Sequence, residues 1–302
     1  MSPPRVAVLS DIHGNYHAFT SVISEIENQV IEKIIVVGDS TGPTMQNKIF
    51  KILLQKKALL IRGNGEKRVV NKNRGQIPDY VWKLKHFSGN RWIHTNLKPE
   101  YHRVLEFLPD QRIVNIQNTS PLRVVHGSPH DIKHVHGILP DQSSTDSQKL
   151  MKVFRTIGIQ EAIIGLKEKV LICGHTHRPW TQKIGNIQVV NPGSVGAPAN
   201  GDPRADYAVL SWTGNEWNIE HHTVSYDLEK AHASLLECGI LDKLGAYAKI
   251  TLINRMTGID ASMEFLIHLN MLRSSNRSMD SDQLYVHAET TFDWEKYEIK
   301  FQ

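Results

Sequence analysis

The 302 residues, 40% hydrophobic and 22% charged, suffice for one large domain with appendages, or two small ones, around a sizeable apolar core. No apolar run approaches the length of a bilayer span, and two cysteines exclude a disulfide framework. A formal net charge of +4 is too small to imply nucleic-acid binding by itself. The composition predicts a globular protein of a reducing cytoplasm, with no membrane association and no specific nucleic-acid partner.

In chain order, short β-branched runs end repeatedly in polar or glycine-containing turns. Arg5-Val6-Ala7-Val8-Leu9 follows the N-terminal Met1-Ser2-Pro3-Pro4, is too short for a secretory signal, and leads to Ser10-Asp11-Ile12-His13-Gly14. Lys33–Val37 leads to Gly38-Asp39, Ala58–Ile61 to Arg62-Gly63-Asn64, Leu122–Val125 to His126-Gly127, and Val170–Cys173 to Gly174-His175-Thr176-His177. Such runs suit strands buried on both faces. Apolar residues at helical spacing over Tyr16–Val30 and Gln46–Gln55 separate the first three, so a βαβαβ opening with a parallel sheet is expected. Cys173 belongs to a strand and is expected to be buried.

Residues 66–112 break this rhythm. They hold ten Lys/Arg against five Asp/Glu, with helix-like pieces around Tyr80–Phe87 and Tyr101–Leu108, and read as a basic helical insertion over one end of the sheet. Its charge could draw in a polyanion, although surplus charge more often marks a solvated face, and Trp82, Phe87 and Trp92 are explained more cheaply by helix packing than by base stacking. After Cys173, two hairpins are predicted: Thr181–Ile184 with Ile187–Val190, and Tyr207–Trp212 with Trp217–Thr223. From Asp227 the pattern is helical through Leu235-Leu236, Leu241–Ile253 and Met263–Leu272, with a polar loop over Ser274–Asp282. The expected division is 1–225 and a C-terminal helical extension, 226–302.

Asp11, His13, Asp39, Asn64, His126, His175 and His177 all fall at predicted strand tips, where chain-distant residues of an α/β sheet converge. Asp11 and His13, like His175 and His177, are two apart, so on extended backbone each pair could face one metal ion. A chance gathering of polar turn residues is the bland alternative.

As an ordered set, Ser10-Asp11-Ile12-His13-Gly14-Asn15, Gly38-Asp39, Arg62-Gly63-Asn64, His126-Gly127 and Gly174-His175-Thr176-His177 resemble the blocks of calcineurin-like metallophosphoesterases. Asn191-Pro192-Gly193-Ser194-Val195-Gly196 resembles a further block of the bacterial and archaeal small-phosphoesterase branch. The likeness covers roughly residues 5–225 and implies a four-layer α/β/β/α sandwich. It implies a first metal held by Asp11, His13 and His177, a bridging Asp39, and a second metal held by Asn64, His126 and His175. Mn²⁺ is the first choice, with Fe, Zn²⁺ or Co²⁺ as alternatives. Arg62 would offset phosphoryl charge, and Asn15, Arg62 and His130 would line the substrate.

Family members often place a general-acid histidine directly after the asparagine, where this chain has Gly65. Losing such an acid costs ~10²–10⁴-fold when the leaving group needs a proton. The gap favours anhydride substrates or a substitute acid, His17 or His130; each is also readable as an ordinary solvated histidine, as are His134 and His136. The expected activity is hydrolysis of small phosphorylated substrates, with nucleotides and dinucleoside polyphosphates such as diadenosine tetraphosphate favoured. That choice also draws on a similarity of layout to bacterial dinucleoside-polyphosphate hydrolases. Other monoesters or diesters are the alternative, and a non-catalytic metal-bound scaffold is the rival from another class. The C-terminal helices could serve a homo-oligomer interface or cap the cleft.

Overall fold

A computed structural model describes residues 3–130, 136–140, 155–276 and 278–299. The chain opens as β1 (Arg5–Leu9), α1 (Tyr16–Asn28), β2 (Lys33–Val36), α2 (Gln46–Gln55) and β3 (Leu59–Leu60). Helices α3 (Asn64–Asn73), α4 (Asp79–Trp82), α5 (Ser88–Asn96) and α6 (Pro99–Phe107) follow, then β4 (Gln111–Val114) and β5 (Leu122–Val125). Beyond them come β6 (His136–Leu139), β7 (Arg155–Gly158), the short α7 (Ile159–Ala162), β8 (Val170–Ile172) and the hairpins β9 (Pro179–Ile184) with β10 (Ile187–Pro192) and β11 (Ala205–Trp212) with β12 (Trp217–Val224). The C-terminal helices are α8 (Leu228–Glu237), α9 (Ile240–Leu244), α10 (Ala246–Thr257), α11 (Ala261–Ser275) and α12 (Ser281–Thr291).

Two five-stranded sheets, ordered β12-β11-β1-β2-β3 and β4-β5-β8-β10-β9, stack face to face. The βαβαβ opening is parallel, as its crossover helices require, whereas β11 joins β1 antiparallel and β4 joins β5 antiparallel. Strand alternation explains the layering. In β1, Val6 and Val8 enter the core between the sheets with Ile35, Val124, Ile172 and Leu210, while Ala7 and Leu9 face Phe19, Val22, Ile49 and Leu53 of α1 and α2. Outside the second sheet, Val125, Leu171 and Val189 meet Ile138, Ile159 and Ala162, which completes four layers among the described residues.

The helical pieces differ in detail from expectation. Residues 66–112 contain most of α3 and all of α4, α5 and α6, more helix than periodicity signals, and end in a strand that extends the second sheet. Their apolar face closes on Phe50 of α2 with Val69, Val70, Ile93, Leu97, Tyr101 and Leu105. Trp82 packs against Phe87 with the rings tilted 45° to each other, and the Trp92 indole donates to the Pro43 carbonyl. The single helix expected over Leu241–Ile253 breaks at Gly245, whose φ of +54° ends α9. The loop expected over Ser274–Asp282 is shorter, because α11 runs to Ser275 and Asp280 caps α12 from Ser281. No described helix is long and apolar enough to cross a membrane.

Candidate metal centre

Strand tips from both sheets meet above the inter-sheet core. Asp11 follows β1, Asp39 follows β2, Asn64 opens α3 after β3, His126 follows β5, and His175 and His177 follow β8. The ligand atoms form two overlapping groups. Asp11, His13 and His177 make one; Asp11, Asp39 and His126 make the other. His177 Nε2 lies 3.3 Å and His13 Nε2 3.6 Å from Asp11 Oδ1, and His13 Nε2 is 3.8 Å from Asp39 Oδ2. His126 Nε2 lies 3.6 Å from Asp39 Oδ2 and 3.1 Å from Asn64 Oδ1. His175 falls in neither group; its ring stands edge-on to His126 at 5.2 Å between centroids.

The backbone departs from the extended geometry that the sequence suggested. Asp11, His13, Asp39, His175 and His177 all have positive φ, between +45° and +68°. The ligands therefore belong to tight loops beyond the strands rather than to the strands' alternating faces. Asp11 and His13 do share one ligand group, but His175 and His177 do not, so spacing of two is no guarantee here.

Hydrogen bonds hold these loops in place. Asp11 N–H donates to Gly38 O and His13 N–H to Asp39 O, and Ser194 Oγ donates to Asp11 O. Gly196 N–H donates to Asp11 O at a point where a Cβ would stand 1.8 Å from Ile12 O, so only glycine permits the approach. Asn191 Nδ2 donates to Gly174 O and Thr176 Oγ1, bracing the turn between β8 and His177. Glu66, at the third position of α3, is buried and takes three backbone N–H groups at 2.8 Å: Asp39 and Gly63 on Oε2, Thr41 on Oε1. One carboxylate thus ties the Asp39 loop to the loop that delivers Asn64. The motif reading missed Glu66, although a glutamate three residues after a helix cap is a legible signal.

The electrostatics suit a cation. Asp11 is fully buried, and its Oδ1 has no hydrogen-bond donor among the described residues. Burial pushes the Asp11 carboxyl up, but His177 and His126 pull it well below the usual range. Burial pulls His177 down, yet Asp11 outweighs it and lifts the imidazole to about 9; burial and then His126 drive His175 down to about 3. His126 pairs its Nδ1 with Val37 O and His177 its Nδ1 with Ala197 O, at 2.7 and 2.6 Å. Donation from Nδ1 turns Nε2 of each ring toward the cluster, where a metal ion can take the place of a proton, the arrangement of metal-binding imidazoles. Convergent carboxylate and imidazole lone pairs repel unless a cation lies among them, so these residues fit divalent metal ions.

The other residues singled out by sequence take different positions. Asn15 is buried and caps α1, accepting from Ala18 N–H while its Nδ2 donates to Gly196 O and the Tyr226 hydroxyl. Arg62 directs Nε to Asp110 Oδ1 at 2.9 Å, and Lys67 shares that carboxylate. His17 pairs Nε2 with Ser234 Oγ of α8 at 2.8 Å, which turns it toward the C-terminal helices. His130 is exposed, with its backbone N–H on Ser128 Oγ. His134 and the side chain of His136 lie outside the described residues.

A stacked pair of mixed sheets with a carboxylate–imidazole cluster at the strand tips is the architecture of the metallophosphoesterase fold. The calcineurin-like phosphoesterase superfamily domain matches residues 5–215, and the chain belongs to that family. It is 24% identical over 263 residues, 81% of this chain, to the uncharacterized protein MJ0912 of Methanocaldococcus jannaschii, covering 97% of it. Its fold is similar to a metallophosphoesterase from Sphaerobacter thermophilus (TM-score 0.63, 20% identity, 85% of this chain and 100% of the other). It is also similar to the hypothetical protein PH1004 of Pyrococcus horikoshii OT3 (TM-score 0.64, 20% identity, 85% and 99%).

Proposed function

We propose that the protein is a hydrolase of small phosphorylated substrates that works with two divalent metal ions, Mn²⁺ first among them. The observation that carries this reading is the convergence of Asp11, His13, Asp39, Asn64, His126 and His177, with Asp11 Oδ1 common to both ligand groups. Asp11, His13 and His177 would hold one ion and Asn64 and His126 the other, with Asp39 between them and His175 beside His126. Ions so held supply a hydroxide at neutral pH and neutralise charge on the phosphoryl group. His13 and His177 keep 28% and 20% of their side-chain surface exposed while Asp11 and His126 keep none, so substrate has access from the histidine side.

Gly65 bears on the leaving group. Its N–H donates to Asp39 Oδ1, and a Cβ there would stand 3.1 Å from both Asp39 Oδ1 and Thr41 Oγ1. No side chain at this position can protonate a departing oxygen. That supports substrates whose leaving group departs as a stabilised anion, with phosphoanhydrides such as dinucleoside polyphosphates the first to try. The test is product chromatography with diadenosine tetraphosphate, a simple diester and a simple monoester, each with Mn²⁺ and with chelator. Anhydride cleavage lost on chelation and in Asp39→Asn supports the reading. Turnover confined to the diester or monoester would move the substrate class, and no turnover by metal-loaded protein would favour a scaffold.

A further inference from the structure

We propose that Arg255, supplied by α10, is a positioning residue of the metal centre that makes the C-terminal helices part of the site. This inference rests on the metal reading above. Arg255 is 1% exposed, and its guanidinium is met by neutral groups rather than by a carboxylate. Nη2 donates to the His13 carbonyl at 2.7 Å, and Nη1 lies 3.2 Å from Thr44 Oγ1, which itself donates to Gly14 O at 2.9 Å. Nε has no hydrogen-bond partner among the described residues. The titratable groups that act on it most are Tyr226, Tyr247 and Cys238, all uncharged at neutral pH, and burial lowers the guanidinium only to about 10, so it stays protonated there.

Burying a cation this way is costly, and packing alone would be served by an apolar side chain of similar volume. What the guanidinium adds is a fork that reaches two loops at once. One loop carries Asp11 and His13; the other runs from Asp39 to Thr44. His13 sits at φ +45°, and a donor on its carbonyl holds that peptide in orientation. The surrounding contacts point the same way. Tyr226 hydroxyl donates to Arg255 O and receives Asn15 Nδ2, which ties α10 to the start of α1. Gly201 N–H donates to Gly258 O just past α10, while the same loop accepts His177 Nδ1 through Ala197 O. Thus α10 and its end touch the loop of Asp11 and His13, the loop that follows Asp39 and the loop that accepts His177, and the guanidinium's one direct bond to a candidate ligand residue goes to His13.

The prediction is site-selective. In the full-length protein, Arg255→Met is expected to weaken the Mn²⁺ ion that His13 would hold by tenfold or more and the other ion by clearly less, read by electron paramagnetic resonance of free Mn²⁺ during titration. Arg255→Lys, which can still reach the His13 carbonyl, is expected to recover part of the loss. Thr44→Val, which keeps the arginine, should give a smaller loss at the same ion and decides the matter if Arg255→Met does not fold. Two ions held as in wild type by the folded variants would overturn the proposal. Equal weakening of both ions together with a lower melting temperature would also overturn it, by making Arg255 purely structural. A wild type that binds no Mn²⁺ would bring down the metal reading, and this inference with it.

Discussion

At the scale of single residues, five of the seven motif residues occupy left-handed backbone that costs roughly 1–3 kcal/mol apiece for a non-glycine side chain. Glu66 helps to hold that strain. Burial, and next the Asp39 carboxylate, push the Glu66 carboxyl up, while the Thr41 and Gly63 N–H groups draw it back. In Glu66→Gln an amide NH₂ must face at least one of the three backbone donors. A loss of about 1–3 kcal/mol in urea unfolding is therefore expected, with weaker metal binding; unchanged stability would show that the loops hold themselves. His177 gives a pH prediction. Its metal-free imidazole holds a proton up to about pH 9, because Asp11 offsets burial, and a metal must displace that proton. Affinity should therefore climb as pH rises from 6 to 9. In the metal-free protein the sign reverses: a raised histidine contributes stability that is complete below pH ~6.5 and lost as pH passes through about 9. Isothermal titration in buffers of different ionisation heat would count the released protons, and a pH-independent affinity would refute the assignment. Cys173 is fully buried, and burial pushes its thiol up, so native protein should react with a thiol reagent at Cys238 well before Cys173.

At the scale of elements, β1, β2, β3, β5, β8, the two hairpins and the first two helices were legible because their apolar periodicity is strong and their turns carry glycine and polar residues, whereas β4, β6 and β7 were not. Helices α3 and α5 were not. Asn64–Asn73 begins at a presumed ligand and is polar on most of its surface, and Ser88–Asn96 buries only Gly89 and Ile93. Both exist because tertiary partners cover a narrow stripe. Gly89 shows how close that cover is: a Cβ would stand 2.4 Å from the Tyr247 ring of α10. Gly89→Val should separate α5 from α10 and cost about 1–3 kcal/mol, seen as a lower denaturation midpoint. A variant as stable as wild type would mean that the contact yields freely.

At the scale of the whole molecule, the C-terminal helices are no loose appendage. Helix α8 lies against α1, and α10 against both α5 and the ligand loops. The core around Leu235, Ile240 and Leu252 takes in Trp92 of the helical insertion and Tyr247 of α10, and it shares Ile299 with the core around Phe265, Phe292 and Trp294. A chain ending at residue 225 would uncover this surface and strip Tyr226 and Arg255 from the site. It is expected to aggregate or to lose cooperative unfolding in circular dichroism melts. A soluble fragment that melts cooperatively and binds Mn²⁺ as the full chain does would contradict this.

The sequence by itself determined the family, most of the sheets' strands in chain order and the gathering of Asp11, His13, Asp39, His126 and His177, since glycine-flanked polar residues at strand ends are a local pattern. It could not decide which atoms share an ion. That depends on where left-handed loops place each side chain: Asp11 and His13 share a ligand group although neither is extended, and His175 and His177 share none. Nor could it show that Asn15 spends its amide on capping, that Arg62 meets Asp110, or that His17 turns to Ser234. Each of those partners is distant in sequence or fixed by loop geometry. Arg255 is the clearest case. Nothing around it in α10 marks it as special, and its role comes from a contact with His13, 242 positions away along the chain. Local chemistry wrote the candidate ligands into the sequence, and only the packing of distant loops and helices decided how they are held.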